Sequence, residues 1–425
     1  MFICATARSW KNPCVLFLNS TLLQRFAGIR RTISAAIFAG ALTFWPGAVP
    51  RSLAKEKPAS PVVQKEVVEE GRAGPWGQLE ISSMYLEAPD SSLDSVQRPN
   101  AVPIWNFPDG SDAGVRQLLT KAGLATAVQN RILDPKRILK QGTVLAVFPP
   151  IEDLEIITPE ARSIIYTELA KSELNEFHAN PIYIVGGRID EWLRETGLRP
   201  KLQEVIRRMT WHRGTTLAFS DLRTLLSKAE SDEEVRHIFK TTTRRRTLMV
   251  RLKVSPASDL KSLINYWSAG GRSPDIVPML EGAASRGCET EIDIVHLLPP
   301  IPRRRLYTYP TLDLAARGRM PDCHWTSLNF FEISVKDYFL DLRLAANHVM
   351  QGYEKISAPY RLGDVLLYLN PEGNAVHSCV YVADNIVFTK NGENSLSPWL
   401  LKRQSDIDEI YKRGANWPVQ AFRKR

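Results

Sequence analysis

The sequence predicts an α+β protein of several units, and three stretches carry that prediction. Near the C-terminus, Arg361–Leu369, Val376–Val382 and Ile386–Lys390 read as three strands separated by tight turns at Asn370–Asn374 and Ala383–Asn385, which is an antiparallel meander. Residues 151–243 alternate charged and apolar stripes between capping residues, as packed amphipathic helices do. Between the two, Arg246–Val254 is rich in β-branched and apolar side chains and reads as a strand. The 425 residues could hold ~3 domains, and 44% hydrophobic with 24% charged content is that of a globular chain.

Taken in order, the first 54 residues read as an export segment. Arg30-Arg31 precede an apolar run of 13 residues, Ile33–Trp45, followed by Pro46-Gly47 and a small-x-small site at Ser52-Leu53-Ala54. A membrane span needs ~20 residues, so cleavage is expected, with an uncleaved anchor as the alternative. The protein is then expected in the periplasm or cell envelope, with no stable membrane insertion after cleavage. The formal charge of +9 does not point to nucleic acid: residues 1–54 hold six Lys/Arg and no Asp or Glu, which leaves only +3 for the rest. Residues 55–72 are charged and contain proline, as a flexible linker does.

Residues 73–150 read as a small α+β unit, with strands at Gln78–Tyr85 and Val102–Asn106 and a helix over Gly114–Ala122. In the mostly helical region 151–243, Thr158-Pro159-Glu160 opens one helix, and the capping box Ser231-Asp-Glu-Glu234 opens another. Residues 244–300 follow as a small α/β subdomain: the Arg246–Val254 strand, a helix Ser258–Trp267, a second within Ser273–Ala284 and a strand Glu289–Leu298. Pro299-Pro300-Ile301-Pro302 marks the entry to the last unit, 301–425.

Chemistry concentrates in that last unit. The cysteines are Cys4, Cys14, Cys288, Cys323 and Cys379; the first two leave with the export segment, and an odd number remains. No CxxC or HExxH occurs and the seven histidines are scattered, so a structural zinc site or a metalloprotease has no support. Asp322 is a good N-cap, and apolar residues at Trp325, Leu328, Phe331, Val335, Tyr338, Phe339 and Leu342 recur at spacings of three and four. The spacing therefore predicts a long amphipathic helix whose positive end biases Cys323 toward thiolate. His377, on the middle strand of the meander, is the histidine placed to act as its base. The plain alternative is a buried thiol, a solvent-facing His324 and a satisfied strand histidine.

With these residues in view, the C-terminal unit resembles the NlpC-type papain-like cell-wall cysteine peptidases over about residues 305–400. The matching features are Asp322-Cys323 opening a helix, Gly363-Asp364-Val365 opening a strand, and His377 with Tyr381 four residues on, before a tight turn and another strand. The chain departs from that pattern at His324-Trp325, where a small Ser-Gly is usual, at Cys379 in place of a glycine, and in lacking a Trp-Gly-Gly before the cysteine. The resemblance implies Cys323 as nucleophile and His377 as general base, with Asp322, His324 and Tyr309 around the substrate or oxyanion. It also implies a third polar residue on the strand after the histidine, where Thr389 or Asn391 can accept a hydrogen bond and protonated Lys390 cannot. A one-residue change in the turn decides which of these faces the imidazole. The implied activity is hydrolysis of amide bonds in peptidoglycan stem peptides, with peptidoglycan or a related envelope polymer as partner and no cofactor or metal. A related amidase, transacylase or lipid-ester hydrolase, or a catalytically silent envelope-binding protein, stays open. Leu133–Pro149 resembles the closing half of a LysM module, with Pro108-Asp109-Gly110 echoing its opening turn.

Overall fold

In this computed structural model the described residues are 68–94, 98–311, 313–314, 320–412 and 417–425. They belong to one compact unit, and the expected export segment 1–54, with Cys4 and Cys14, lies outside them, as does most of the 55–72 linker. The class is α+β with antiparallel sheets.

The N-terminal pair β1 (Glu69–Glu70) and β2 (Gln78–Leu86) is followed by β3 (Trp105–Pro108), helices Asp112–Lys121 and Thr126–Ile132, then β4 (Ile138–Gln141) and β5 (Val144–Val147). The first of these helices begins where Ser111 Oγ accepts the Gly114 N–H. The three short strands form a sheet of order β3-β5-β4, closing a β-α-α-β-β unit.

Residues 151–243 supply helices Ile151–Ile156, Pro159–Leu169, Pro200–Arg208, Leu222–Ser227 and Asp232–Thr243, among others. Thr158 and Ser231 cap two of them as their sequences prescribe. The region also contains a three-stranded sheet, β6 (Ile182–Ile184), β7 (Trp211–Arg213) and β8 (Thr216–Phe219), in the order β6-β8-β7. Strands of three or four residues are too short to show a period-2 pattern. Within the helical layer, Arg162 is fully buried and spends its guanidinium on Asp221 Oδ2 (2.8 Å), Tyr166 Oη (2.6 Å) and the Leu154 carbonyl (2.6 Å).

The long strand β9 (Arg245–Val254) is followed by helices Leu260–Trp267 and Val277–Ala284 and by β10 (Thr290–Asp293). The expected strand through Leu298 stops at Asp293, whose carboxylate accepts the Val295 N–H and turns Ile294–Leu297 into a 3-10 helix. β2 pairs antiparallel with β9 from Gln78↔Lys253 to Leu86↔Arg245, so the four-stranded sheet β1-β2-β9-β10 joins segments far apart in the chain.

The C-terminal sheet has six strands: β11 (Tyr353–Ile356), β12 (Val365–Leu369), β13 (Ala375–Ala383), β14 (Ile386–Lys390), β15 (Trp399–Arg403) and β16 (Val419–Lys424), in the order β11-β16-β12-β13-β14-β15. β12 starts after Gly363, whose φ of +93° and contact with the Phe331 ring leave no room for a side chain. One face of this sheet, with Val380, Val382, Phe388 and Leu401, packs on Trp325, Leu328 and Phe330 and merges with the core of the first sheet. The opposite face, with Leu366, Tyr368, Cys379 and Val387, is covered by Ile407, Ile410 and Tyr411 of the Gln404–Lys412 helix.

The long helix expected after Asp322 is corrected. It runs only from Cys323 to Leu328. Asn329 ends it: its side chain donates to the Trp325 carbonyl and accepts the Lys336 N–H, wrapping the chain into a loop. A 3-10 turn at Asp337–Leu340 and a separate helix, Leu342–Gly352, follow, and Val335, Tyr338 and Leu342 of the expected apolar stripe are exposed.

Candidate active site

Asp322 sits in extended backbone and its Oδ1 accepts the Trp325 N–H at 2.6 Å, closing the first turn of the Cys323–Leu328 helix. Thr326 bonds back to the Asp322 carbonyl and accepts a hydrogen bond from Trp399 Nε1 at 3.0 Å, which fastens the helix start to β15. Cys323 is thereby held at the first helical position with 3% of its surface exposed.

Two imidazoles reach the thiol. Burial pushes the Cys323 thiol up, but the charges of His324 and then His377 beside it outweigh this and hold the thiol well below its ordinary range. For His324, burial opposes the charged form, while the Cys323 thiolate, Asp322 and a hydrogen bond to the Ala375 backbone carry it up to about 9. Asp322 itself is raised to about 6, first by burial and then by the thiolate beside it. The solvent-facing placement of His324, 100° around an ideal helix, therefore does not hold: its side chain is half-buried, turned toward the thiol and the start of β13.

His377 is fully buried on β13. Its Nε2 lies 3.0 Å from Thr389 Oγ1 on β14, while Nδ1 has no hydrogen-bond partner among the described residues. The ring stacks on Tyr411, centroids 4.1 Å apart and planes 11° apart, with Tyr368 on a second side at 5.9 Å. Tyr368 is oriented by donating to Asp408 Oδ1 at 2.7 Å. Packing on a face covered by one helix while meeting a thiol from another leaves His377 oriented by Thr389 and Tyr411 together.

Register settles which polar residue of β14 meets the imidazole. Thr389 does, whereas Lys390 turns to the other face and donates to the carbonyls of Gly392 (2.7 Å) and Asn394 (3.1 Å). Asn391, just past the strand, keeps a buried Oδ1 with no partner among the described residues. Tyr309 is not brought to this cluster: its hydroxyl is half-buried and donates to the Leu86 carbonyl on β2 at 3.1 Å. Cys379 is fully buried and unpaired, and burial followed by the Cys323 charge pushes its thiol well above the ordinary range. Among the described residues the exposed thiol is Cys288.

Tyr411 and the inward turn of His324 are what sequence reasoning missed. The only local sign of Tyr411 was the spacing Ile407, Ile410, Tyr411 on a helix. Chemically, the cluster can present a thiolate, supply a proton from an adjacent imidazolium and keep a second imidazole in fixed orientation.

No family model matches the chain, and neither a curated protein nor a solved structure does. Among the described residues no helix is long and apolar enough to cross a membrane.

Proposed function

We propose that this protein is an exported cysteine hydrolase of the NlpC-type, papain-like kind, cleaving amide bonds of peptidoglycan stem peptides. The observation that supports this best is a capped helix holding Cys323 within the electrostatic reach of His377, whose Nε2 is taken by Thr389 while Nδ1 stays open. In this reading the thiolate attacks the amide carbonyl carbon and a tetrahedral oxyanion forms near N–H groups of the helix start. The C–N bond then breaks as an imidazolium protonates the leaving amine. Water, deprotonated by His377, hydrolyses the Cys323 thioester and restores the thiol. The three-stranded unit at 105–147, whose Leu133–Pro149 stretch resembles the closing half of a LysM module, is the part we assign to glycan contact.

The pair is shielded from solvent, so a substrate has to displace the groups around it. That burial favours, as a second reading, a silent envelope-binding protein that retains the fold of an enzyme. Incubating the purified protein and Cys323→Ala with peptidoglycan fragments, followed by mass spectrometry of the muropeptides, separates the two. New amide-cleavage products with the wild type alone support the hydrolase; indistinguishable digests across several wall chemistries overturn it.

A further inference from the structure

Far from Cys323 in sequence, a cleft of about 240 Å³ opens between β3, the loop preceding the short helix Glu176–Ala179, and the start of the Leu222–Ser227 helix. It is smaller than the ~300–1,000 Å³ that suits drug-sized ligands, so its occupant would be a metabolite-sized molecule. Part of its wall is apolar, formed by Trp105, Leu174 and Phe177, of which Leu174 is 55% exposed. Its floor contains Asp221, already satisfied by Arg162 and Tyr166.

Other polar groups in the cleft are incompletely satisfied. Thr224 is 1% exposed, lines the cleft, and its hydroxyl has no partner among the described residues. A buried hydroxyl left unpaired is costly, which makes it a marker for something absent. His178 is held neutral, down to about 3, by burial and then by the charges of Arg162 and Arg223, with its ring edge-on to Tyr166. Arg223 and Glu176 face each other across the cleft at 3.8 Å, too long for a good charge-assisted hydrogen bond, with exposures of only 25% and 38%. Burial lowers the Arg223 value and raises that of Glu176, so each charge is incompletely compensated by the other.

We propose that this cleft binds a small zwitterion, an α-amino acid with an apolar side chain. A carboxylate against Arg223 and the Thr224 hydroxyl, and an ammonium against Glu176, must sit on neighbouring atoms because the two protein charges are adjacent. An α-carbon bearing both groups meets that requirement, and Trp105, Leu174 and Phe177 take the side chain. Arg223 is already steadied for this by its bond to the Asn100 carbonyl (3.1 Å) and by its position over the Phe177 ring.

Isothermal titration of the purified full-length protein with L-leucine, L-phenylalanine, N-acetyl-L-leucine and L-leucinamide tests this. Binding of the free amino acids is expected, with the two blocked analogues weaker by roughly tenfold or more, the size of one lost charged hydrogen bond. Arg223→Gln and Glu176→Gln should each reproduce a loss of that size, and the near-isosteric Thr224→Val a smaller one of roughly threefold. Cys323→Ala should bind as the wild type does, which keeps this outcome separate from the hydrolase reading. No binding by either free amino acid, or equal binding of the blocked analogues, overturns the proposal.

Discussion

Two clusters bury charge in this protein, and they do it in opposite ways. Arg162, Tyr166 and Asp221 form a set closed at the carboxylate: both its oxygens are bonded, at 2.8 and 2.6 Å, and the guanidinium also reaches a backbone carbonyl, leaving Arg162 Nε as its one buried atom without a partner among the described residues. Around Cys323, His377 Nδ1, Ser378 Oγ and Asn391 Oδ1 all lie buried without partners among the described residues. A closed network rigidifies, whereas an open one carries unspent bonding capacity that a substrate or transition state can use.

Substitutions can break that contrast. The largest expected effect is on activity: His377→Ala should lower amide hydrolysis by roughly 10²–10⁴-fold, measured as the initial rate on a muropeptide substrate. Next comes a pure stability effect at the closed cluster. Asp221→Ala strands the Arg162 charge in the interior and should cost about 3–5 kcal/mol in urea unfolding, with the alkylation profile of Cys323 unchanged. If Asp221→Ala proves neutral, the closed network does not stabilise the fold as argued.

pH sharpens the contrast further. The folded Cys323 value lies below the unfolded one, so its stabilisation is full above the unfolded thiol range and drains as pH falls through the folded value. His324 lies the other way, raised from 6.5 to about 9, so its contribution is full below 6.5 and is lost as pH rises through about 9. The ion pair is therefore strongest around neutrality and weakens above about pH 9. The difference in melting temperature between wild type and Cys323→Ser should shrink over that alkaline range, and a difference that grows there would contradict the pair. Iodoacetamide labelling of native Cys323 should likewise persist at pH values where the urea-unfolded chain has stopped reacting. The smallest effect is expected from Thr389→Val, which removes one hydrogen bond from His377 and should slow turnover by roughly tenfold, with Thr389→Ser restoring it.

Local patterns disclosed the meander, because each strand of β12–β14 carries its own run of apolar and β-branched residues and its own turn. The alternatives at Thr389, Lys390 and Asn391 could not be separated that way, since a register shift between Tyr381 and Ala383 sets which side chain points at His377. The apolar spacing from Trp325 to Leu342 misled because a single side chain, Asn329, redirects the backbone more strongly than periodicity extends a helix. Tyr411 and the β2–β9 pairing were illegible for a different reason. Both are contacts between distant segments, and nothing in either segment alone names its partner.

Those distant contacts also set a timetable. Arg72 bonds Asp384, 312 residues away, and Thr247 exchanges two hydrogen bonds with Leu401. Neither can form until nearly the whole chain exists, so the ribosome releases β2 and β9 long before β15 is available to them. Folding dominated by such separations is slow. A polypeptide that stays unfinished for that long remains threadable while it is being made, and a C-terminal fragment expressed alone would lack the strands against which its sheet is built.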